Sequence, residues 1–417
     1  MGKIILGCIA DDFTGASDIA SQLIKLGAKC LLINDFYTDY IEFDEYDVVI
    51  IALKSRSIEK SEAVRLSLDA IKWLEHKGVN KFYFKIASTF DSTDKGNIGP
   101  VMDALLDYFN LQYAVICPAF LENGRTVKDG NLYVNDILLE ESTMRLHPIN
   151  PMLYSSLTKL MNLQSKYDSY DNTNFKNFKE ISPEYLKTFQ KKKFYYFPDF
   201  YTFDEGEKIA SIFYEDKLFC GASGFAVALY KKLSSQEKVI NIQNDIFYNN
   251  LPIVILSGSC SDMTKKQIIY YKNQGYKTKK IFLNDEKKVI DEVQKINKLN
   301  YSLNNVILFH TVDLNNNVSN NINESMAIEN MFSTISKEIY DTGIKNIIVA
   351  GGETSGAVIK GIGFSAFKVL EEIDVGVPFL QPINNGKFNL VLKSGNFGKE
   401  DFFVKVINKI KDKNLTN

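Results

Sequence analysis

The sequence predicts an α/β protein with two α/β domains, each with a mainly parallel sheet, and an active site in the cleft between the domains. Three observations lead to this prediction. Short β-branched runs alternate with segments of helical periodicity along the chain. The 417 residues exceed what one domain of roughly 150 residues needs. Glycine-rich and hydroxyl-rich loops follow several predicted strands, where open α/β sheets bind ligands.

The N-terminal half consists of repeated strand–helix units, a pattern that favours parallel strands. The predicted strands are apolar runs at residues 3–10, 29–34, 48–53, 81–86 and 113–117. The predicted helices, each with an apolar face, lie at 17–26 and 61–76, and Pro100 opens a third. A segment rich in turn residues interrupts this pattern at 123–148.

A polar stretch near the middle of the chain predicts the domain boundary. We expect an N-terminal domain at residues 1–232, a linker at 233–250 and a C-terminal domain at 251–417. The second domain has predicted strands at 253–256, 306–309, 346–350 and 390–392.

Composition excludes several classes of protein. The 49 basic and 51 acidic residues give a net charge of -2, which does not suit a nucleic-acid partner. Apolar runs are too short for a membrane span, and the N-terminus lacks the pattern of a secretory signal, so we expect a cytoplasmic protein without a membrane partner. The five cysteines and three histidines form neither a disulfide framework nor a zinc site. The oligomeric state stays open, and a homo-oligomer is one alternative.

Three loops after predicted strands of the C-terminal half share one chemistry. They contain SGSCS at 257–261, GGETSG at 351–356 and SGNFG at 394–398. Glycine lets backbone amides approach an anion, hydroxyls donate to its oxygens, and helices predicted to start near Asp262 and Ser355 add positive dipole ends. These loops therefore predict a polyphosphate ligand, although each alone could be an ordinary turn.

Two familiar nucleotide motifs do not account for these loops. The chain has no Walker sequence, because none of its Gly-Lys pairs precedes Ser or Thr. Residues 361–366 have the spacing of a dinucleotide fingerprint, but no predicted strand comes directly before them. An NAD-dependent oxidoreductase is therefore retained only as an alternative.

Carboxylates and cations follow predicted strands of the N-terminal half. Asp11 and Asp12 come directly after the first strand, where one could act as a general base for a hydroxyl or simply cap a helix. We assign the base to Asp12 and the orientation of substrate or metal to Asp11. Further candidates for binding a small polyhydroxy acid follow later strands or flank the interrupting segment: Arg56, Lys85, Ser88, Asp91 and Arg145.

Arg56 and Lys85 are the candidates for the substrate carboxylate and oxo group. Arg145 and His147 alternate on a piece predicted to be extended, so both would face the same way. One domain thus suits a small acid and the other a polyphosphate. The combination predicts phosphoryl transfer.

The same motifs resemble those of the four-carbon acid sugar kinases. The matching stretches span nearly the whole chain: IADDFTGA at 9–16, STFDST at 88–93, KGNIGP at 95–100, MRLHP at 144–148, and the SGSCS, GGETSG and SGNFG loops. STFDST, KGNIGP and MRLHP are similar to the branch that acts on 3-oxo-tetronate. Residues 154–197 depart from the family pattern.

The resemblance implies an N-terminal acid-binding domain and a C-terminal ATP-binding domain that phosphorylate the C4 hydroxyl of 3-oxo-tetronate, with Mg²⁺. Carried over by position, the residues that would hold ATP are Ser257, Ser259, Gly351, Gly352, Glu353, Thr354 and Gly398. Two alternatives remain: a kinase for another four-carbon acid such as erythronate or threonate, and a non-catalytic sensor of nucleotide or sugar acid.

Overall fold

The structure is a computed structural model that describes residues 4–37, 41, 45–146, 150–175, 181–234, 246–249, 251–298, 305–312 and 322–411, with the side chains of 322–325 left out. The chain divides into two compact units, residues 1–240 and 241–417. His147 and most of the predicted linker lie outside the described residues, so the linker stays a prediction. Within the described part of the chain, every helix is too short or too polar to cross a bilayer.

The N-terminal unit contains a parallel sheet, as predicted. Its strands are β1 (Leu6–Ala10), β2 (Cys30–Ile33), β3 (Val48–Ala52), β4 (Phe82–Lys85), β5 (Tyr113–Cys117), β6 (Arg125–Lys128), β7 (Asn131–Val134), β8 (Ile137–Leu138), β9 (Asp168–Asp171), β10 (Phe194–Phe197) and β11 (Leu218–Gly221). Eight of them pair in the order β2-β3-β1-β4-β11-β5-β10-β9, with every pair parallel. The interrupting segment forms a separate antiparallel sheet, β6-β7-β8.

Helices connect these strands. They are α1 (Phe13–Ile24), α2 (Lys60–His76), α3 (Ile98–Tyr108), α4 (Leu157–Asn162), α5 (Pro183–Phe189), α6 (Phe203–Phe213) and α7 (Ser223–Leu233). Every residue of β1, β3, β4 and β5 is buried, because a parallel sheet is covered on both faces. That burial explains why these strands are continuous apolar runs in the sequence.

The C-terminal unit has a mixed sheet. Its strands are β12 (Ile253–Ser257), β13 (Lys277–Lys280), β14 (Val306–His310), β15 (Asn346–Ala350), β16 (Ala366–Asp374), β17 (Val377–Pro382) and β18 (Asn389–Lys393). They follow the order β13-β14-β12-β15-β18-β17-β16. The first five strands are parallel, and β17 is antiparallel to both of its neighbours. The predicted fold class, two α/β domains with mainly parallel sheets, is confirmed.

The helices of this unit are α8 (Asp262–Asn273), α9 (Glu286–Asn297), α10 (Ile322–Asp341), α11 (Gly352–Ile362) and α12 (Phe402–Lys411). The α8 helix starts where predicted, but α11 starts three residues before Ser355. Gly361 lies inside α11, and Gly363 ends that helix in a left-handed conformation with φ of 74°. The dinucleotide spacing at 361–366 therefore lacks the strand–turn–helix context that it needs.

Candidate active site

Strand β1 and its neighbours β3 and β4 bring three predicted site segments to one sheet edge. Ala10, the last residue of β1, is in register with Ala52 of β3 and Lys85 of β4. All three strands run in the same direction, so the chain segments that follow them begin at the same edge. Asp11 begins one of these segments, and Arg56 and Asp91 lie a few residues into the other two.

Arg56 joins three of the predicted carboxylates. Its Nε donates to Asp11 Oδ2 at 3.0 Å and its Nη2 to Asp11 Oδ1 at 2.8 Å, a bidentate fork. Nη2 also lies 3.0 Å from Asp12 Oδ1, and Nη1 lies 3.4 Å from Asp91 Oδ2. Most of the N–H donors of the guanidinium therefore bind protein carboxylates. We call Asp11, Asp12, Arg56 and Asp91 the arginine cluster.

Asp12 caps a helix and also belongs to the arginine cluster. As the N-cap of α1, it accepts a hydrogen bond from Gly15 N at 2.7 Å on Oδ1 and from the Thr14 hydroxyl at 2.8 Å on Oδ2. Burial opposes its ionisation, but Arg56 and then the Thr14 hydroxyl outweigh burial, so the pKa of Asp12 is lowered from its ordinary value. The Asp12 carboxylate is therefore both a helix cap and an ionised group.

Asn97 fixes the turn that carries Arg56. Its Nδ2 donates to Ser55 O at 2.8 Å and to Ile58 O at 2.9 Å, and it lies 3.5 Å from Arg56 O. The side chain is buried, and its own carbonyl oxygen has no hydrogen-bond partner among the described residues. Sequence reasoning missed Asn97 because its partners are backbone carbonyls about 40 residues away. Its place in KGNIGP, directly before α3, was the available signal.

The remaining predicted acid-binding residues take different positions. Lys85 is buried and pairs with Asp18 at 3.4 Å, while its Nζ donates to Ile86 O at 3.0 Å. Ser88 is half-buried in the turn after β4. Arg145 is exposed and donates to Glu140 O at 3.2 Å. It lies in a 3-10 turn, Thr143–Leu146, so the expected extended backbone is wrong at this residue.

In the C-terminal unit, the three glycine-rich loops also begin at one sheet edge. Ser257 of β12 is in register with Ala350 of β15, and Ala350 with Lys393 of β18. Backbone hydrogen bonds link the loops, from Gly258 N to Ala350 O at 3.2 Å and from Gly351 N to Lys393 O at 2.9 Å. The alignment follows from parallel strands of matched register, and it places the loops side by side.

Glycine is required where these loops touch. A Cβ on Gly258 would lie 2.3 Å from the Thr354 hydroxyl, and one on Gly395 would lie 2.5 Å from the Ser259 hydroxyl. Gly351 and Gly398 have φ of 124° and 78°, which side chains rarely tolerate. The loops therefore form one cradle of backbone and small side chains.

The cradle fits the phosphates of a nucleotide. Gly351 caps α11, so the free amides and positive dipole end of that helix lie at the cradle. Ser257 Oγ is buried and has no partner among the described residues, as expected of a hydroxyl that serves a ligand. Gly352 is half-buried, Glu353 is exposed and Thr354 is buried. Among the described residues, no group of three His, Cys, Asp or Glu side chains could hold a metal ion.

Lys393, at the end of β18, is a cation that sequence reasoning also missed. It is fully buried, and its Nζ donates to Thr264 Oγ1 at 3.0 Å and to the carbonyls of Ser394 and Gly395, both at 2.9 Å. Burial lowers the pKa of Lys393 to about 7. The strand VLK reads as an apolar core strand, so its sequence did not mark the lysine as part of the cradle.

Two domain models match this chain, one within each compact unit. Residues 6–229 match the model of a sugar-binding N-terminal domain, and residues 254–403 match that of a nucleotide-binding C-terminal domain. A 3-oxo-tetronate kinase of Haemophilus influenzae is 38% identical over 96% of this chain and 98% of its own. One of Actinobacillus succinogenes is 37% identical with the same coverage. The chain belongs to the 3-oxo-tetronate kinase family.

Two solved structures share the fold of this family member. A Haemophilus influenzae protein has a TM-score of 0.73 and 35% identity, covering 97% of this chain and 100% of its own. A Salmonella typhimurium LT2 protein, described provisionally as a tRNA synthase, has a TM-score of 0.81 and 33% identity, covering 99% and 100%. A relative from the same Salmonella strain, 34% identical, is named 3-oxo-tetronate kinase. The family resemblance expected from the sequence is confirmed.

Proposed function

We propose that this protein is an ATP-dependent kinase that transfers a phosphoryl group to the C4 hydroxyl of 3-oxo-tetronate. One observation carries the proposal: three glycine- and serine-rich loops meet in a single cradle within the part of the chain that matches a nucleotide-binding domain. Relatives of nearly the same length are named for this activity. The arginine cluster, in the part that matches a sugar-binding domain, supplies the carboxylates for a hydroxyl substrate.

The nucleotide would bind at the cradle through residues of all three loops. Amides at the start of α11 and the Ser257 and Ser259 hydroxyls would hold phosphate oxygens, and Gly351–Thr354 and Gly398 would let the backbone approach them. We propose that Mg²⁺ arrives with the nucleotide, because this ion usually takes one or two carboxylates besides phosphate oxygens. Glu353 is the exposed carboxylate of the cradle. When bound, the ion neutralises phosphate charge.

Asp12 would orient the attacking hydroxyl and accept its proton. Its lowered pKa keeps it ionised at neutral pH, and an ionised carboxylate can accept a hydrogen bond from an alcohol. Asp11 is held by the Arg56 fork and would fix Arg56 against Asp12. We keep Arg56, Lys85, Ser88, Asp91 and Arg145 as proposed contacts of the acid. Phosphoryl transfer depends mainly on such positioning and on charge neutralisation.

The decisive experiment incubates the purified protein with ATP, Mg²⁺ and a mixture of oxo-tetronates, erythronate and threonate, and identifies products by mass spectrometry. We expect 3-oxo-tetronate 4-phosphate and ADP. Phosphorylation of erythronate or threonate instead would assign the enzyme to another four-carbon acid. ADP formation no higher than without any acid would favour the non-catalytic sensor.

A single substitution tests the base. Asp12→Asn keeps one oxygen to cap α1 but loses the charge, and we expect kcat to fall by about 10². Ser182→Ala is the control, because Ser182 caps α5 by accepting from Tyr185 N and takes no part in the arginine cluster. Wild-type kcat in Asp12→Asn would refute the assignment of the base.

We also propose that the enzyme acts in the cytoplasm. The described residues include all five cysteines and contain no disulfide, and four of the cysteines are buried. Cysteines without disulfides suit a reducing compartment.

A further inference from the structure

The loop from Ser394 to Lys399 turns several of its backbone carbonyls toward buried donors. Gly395 O accepts hydrogen bonds from Lys393 Nζ at 2.9 Å, from Thr264 Oγ1 at 2.8 Å and from Ser261 Oγ at 2.6 Å. Ser394 O accepts from the same lysine at 2.9 Å. Donors from two elements, α8 with its cap and the end of β18, thus converge on one side of the loop.

Gln267 of α8 binds the second half of this loop. Its Nε2 lies 3.0 Å from Phe397 O, 3.1 Å from Gly398 O and 2.9 Å from Lys399 O, and the side chain is fully buried. Ser261, Thr264 and Gln267 are three residues apart, so the helix presents them along one face. Five carbonyls of the loop therefore point toward α8 and Lys393.

Peptide geometry determines where the amides of the loop point. In a trans peptide the N–H is antiparallel to the preceding C=O, and the described chain has no cis peptide bonds. Fixing the carbonyls of Ser394, Gly395 and Phe397 therefore directs the amide of Gly395 away from Lys393 and those of Asn396 and Gly398 away from α8. The next amide, Lys399 N, donates to Asp374 Oδ2 at 3.2 Å. Phe397 N, between Asn396 and Gly398, donates to Ser394 O at 3.1 Å within the loop. The successive amides of Gly395 and Asn396 point the same way, and such amides form an anion-binding concavity.

We propose that Lys393, Thr264 and Gln267 are positioning residues that hold the Ser394–Lys399 loop so that the amides of Gly395, Asn396 and Gly398 bind a phosphate group of the nucleotide. This inference rests on the proposed function and adds to it, because it names the side chains that hold the third loop in its binding conformation. None of the three side chains touches the ligand in this arrangement.

The chemistry of Lys393 supports the same role. Its named acceptors are a hydroxyl and two carbonyls, all uncharged, so these contacts do not neutralise the ammonium. Burial lowers the pKa of Lys393 to about 7, so the amine is only partly protonated near neutral pH, and a phosphate bound at the loop would favour its charged form. The loop therefore combines directed amides with a buried amine that gains its charge when an anion binds.

The test compares matched variants of two α8 side chains. Thr264→Val keeps the shape and removes the hydroxyl, whereas Thr264→Ser keeps the hydroxyl. Gln267→Met removes the amide donor from a buried position, and Gln274→Met makes the same change at the exposed end of α8. ATP and adenosine affinities are measured by calorimetry on the full chain, with the KM values for ATP and for the acid.

We expect Thr264→Val and Gln267→Met to raise the Kd for ATP about tenfold, or about 1.4 kcal/mol. Adenosine affinity and the KM for the acid should stay unchanged, and Thr264→Ser and Gln274→Met should bind ATP like the wild type. Equal losses for ATP and adenosine would overturn the inference, since a merely structural defect would affect both ligands. Wild-type ATP binding in Thr264→Val would overturn it too, even if Gln267→Met failed to fold. A wild-type protein that binds no ATP would instead refute the proposed function.

Discussion

Replacing Arg56 by methionine should destabilise the N-terminal unit in a way that depends on pH. Methionine keeps an unbranched, flexible side chain but removes the charge that pairs with Asp11, Asp12 and Asp91. The Asp11 side chain is only 4% exposed, so its ionised form would lose its hydrogen-bonded cation in the interior and keep only the weaker attraction of Lys85. Removing one partner of a buried pair costs about 3–5 kcal/mol. Arg56 is itself 21% exposed, so we expect the lower value, about 3 kcal/mol near pH 8.

The sign of the pH effect follows from the carboxylates. In the wild type, the lowered pKa of Asp12 contributes stability above its ordinary pKa near 3.8, and that contribution is lost as pH falls through the lower folded value. The pKa of Asp11 is already raised in the wild type, because burial outweighs the Arg56 guanidinium. Without Arg56, the pKa of Asp11 rises further and that of Asp12 rises too, so protonation stabilises the variant more strongly as pH falls. The deficit of Arg56→Met should therefore be largest at pH 7–8 and shrink toward pH 5.

Urea unfolding monitored by tryptophan fluorescence measures this effect in the correct unit, because the single tryptophan, Trp73, lies in α2. Arg65→Met is the control. Arg65 is on the same helix and pairs with Glu62 at 2.7 Å and Asp69 at 2.9 Å, but its side chain is 53% exposed. We expect no measurable loss there. A deficit of Arg56→Met that is independent of pH, or no larger than that of Arg65→Met, would refute the electrostatic reasoning.

Three further predictions concern other parts of the two sites. Gly258→Ala should raise the KM for ATP at least tenfold, because the new Cβ would lie 2.3 Å from the Thr354 hydroxyl, whereas Gly356→Ala, with nothing within 4 Å, should not. The pKa of Lys393 is lower in the folded protein than in the unfolded chain, so the thermal stability of the wild type should rise between pH 7 and about 10. Lys393→Met should flatten that rise when the melting temperature is measured across this pH range, and equal slopes for the two proteins would contradict the prediction. Asn97→Ala should lower kcat about tenfold by freeing the Arg56 turn, and a change confined to the KM for ATP would contradict that role.

Much of the fold could be predicted because parallel strands are buried on both faces. The strands at 113–117 and 346–350 occur with the predicted bounds, since each is an apolar run between polar residues. The loops after these strands could also be marked as candidate sites, because open α/β sheets bind ligands beyond the carboxyl ends of their strands. The start of α11 was placed too late, because glycine has low helix propensity and Gly351–Gly352 resemble a turn in sequence. The antiparallel pair β16 and β17 was not predicted, although only Val375 and Gly376 separate the two strands and so short a connection joins antiparallel strands.

The sites were harder to predict wherever a residue acts through backbone atoms of a distant segment. Asn97 binds carbonyls about 40 residues away, and Gln267 binds carbonyls about 130 residues away. Such partners leave no complementary side chain in the sequence. Arg56 was identified as a cation at a strand end, but its binding to three carboxylates depends on the register of β1, β3 and β4. Strand order, which the sequence does not encode locally, decides which charges meet.

The dual duty of Asp12 limits how this enzyme could be engineered. The carboxylate that starts α1 is also the proposed base, and Gly15 must lack a side chain because a Cβ there would lie 2.5 Å from Asp12 Oδ1. Variants selected for heat resistance would therefore strengthen the Asp12 cap of α1. A more firmly held Asp12 carboxylate would be less able to move as the proposed base. Selection for speed would pull in the opposite direction. Stabilising substitutions are better placed at surface positions of α2 or α6, which do not affect the two roles of Asp12.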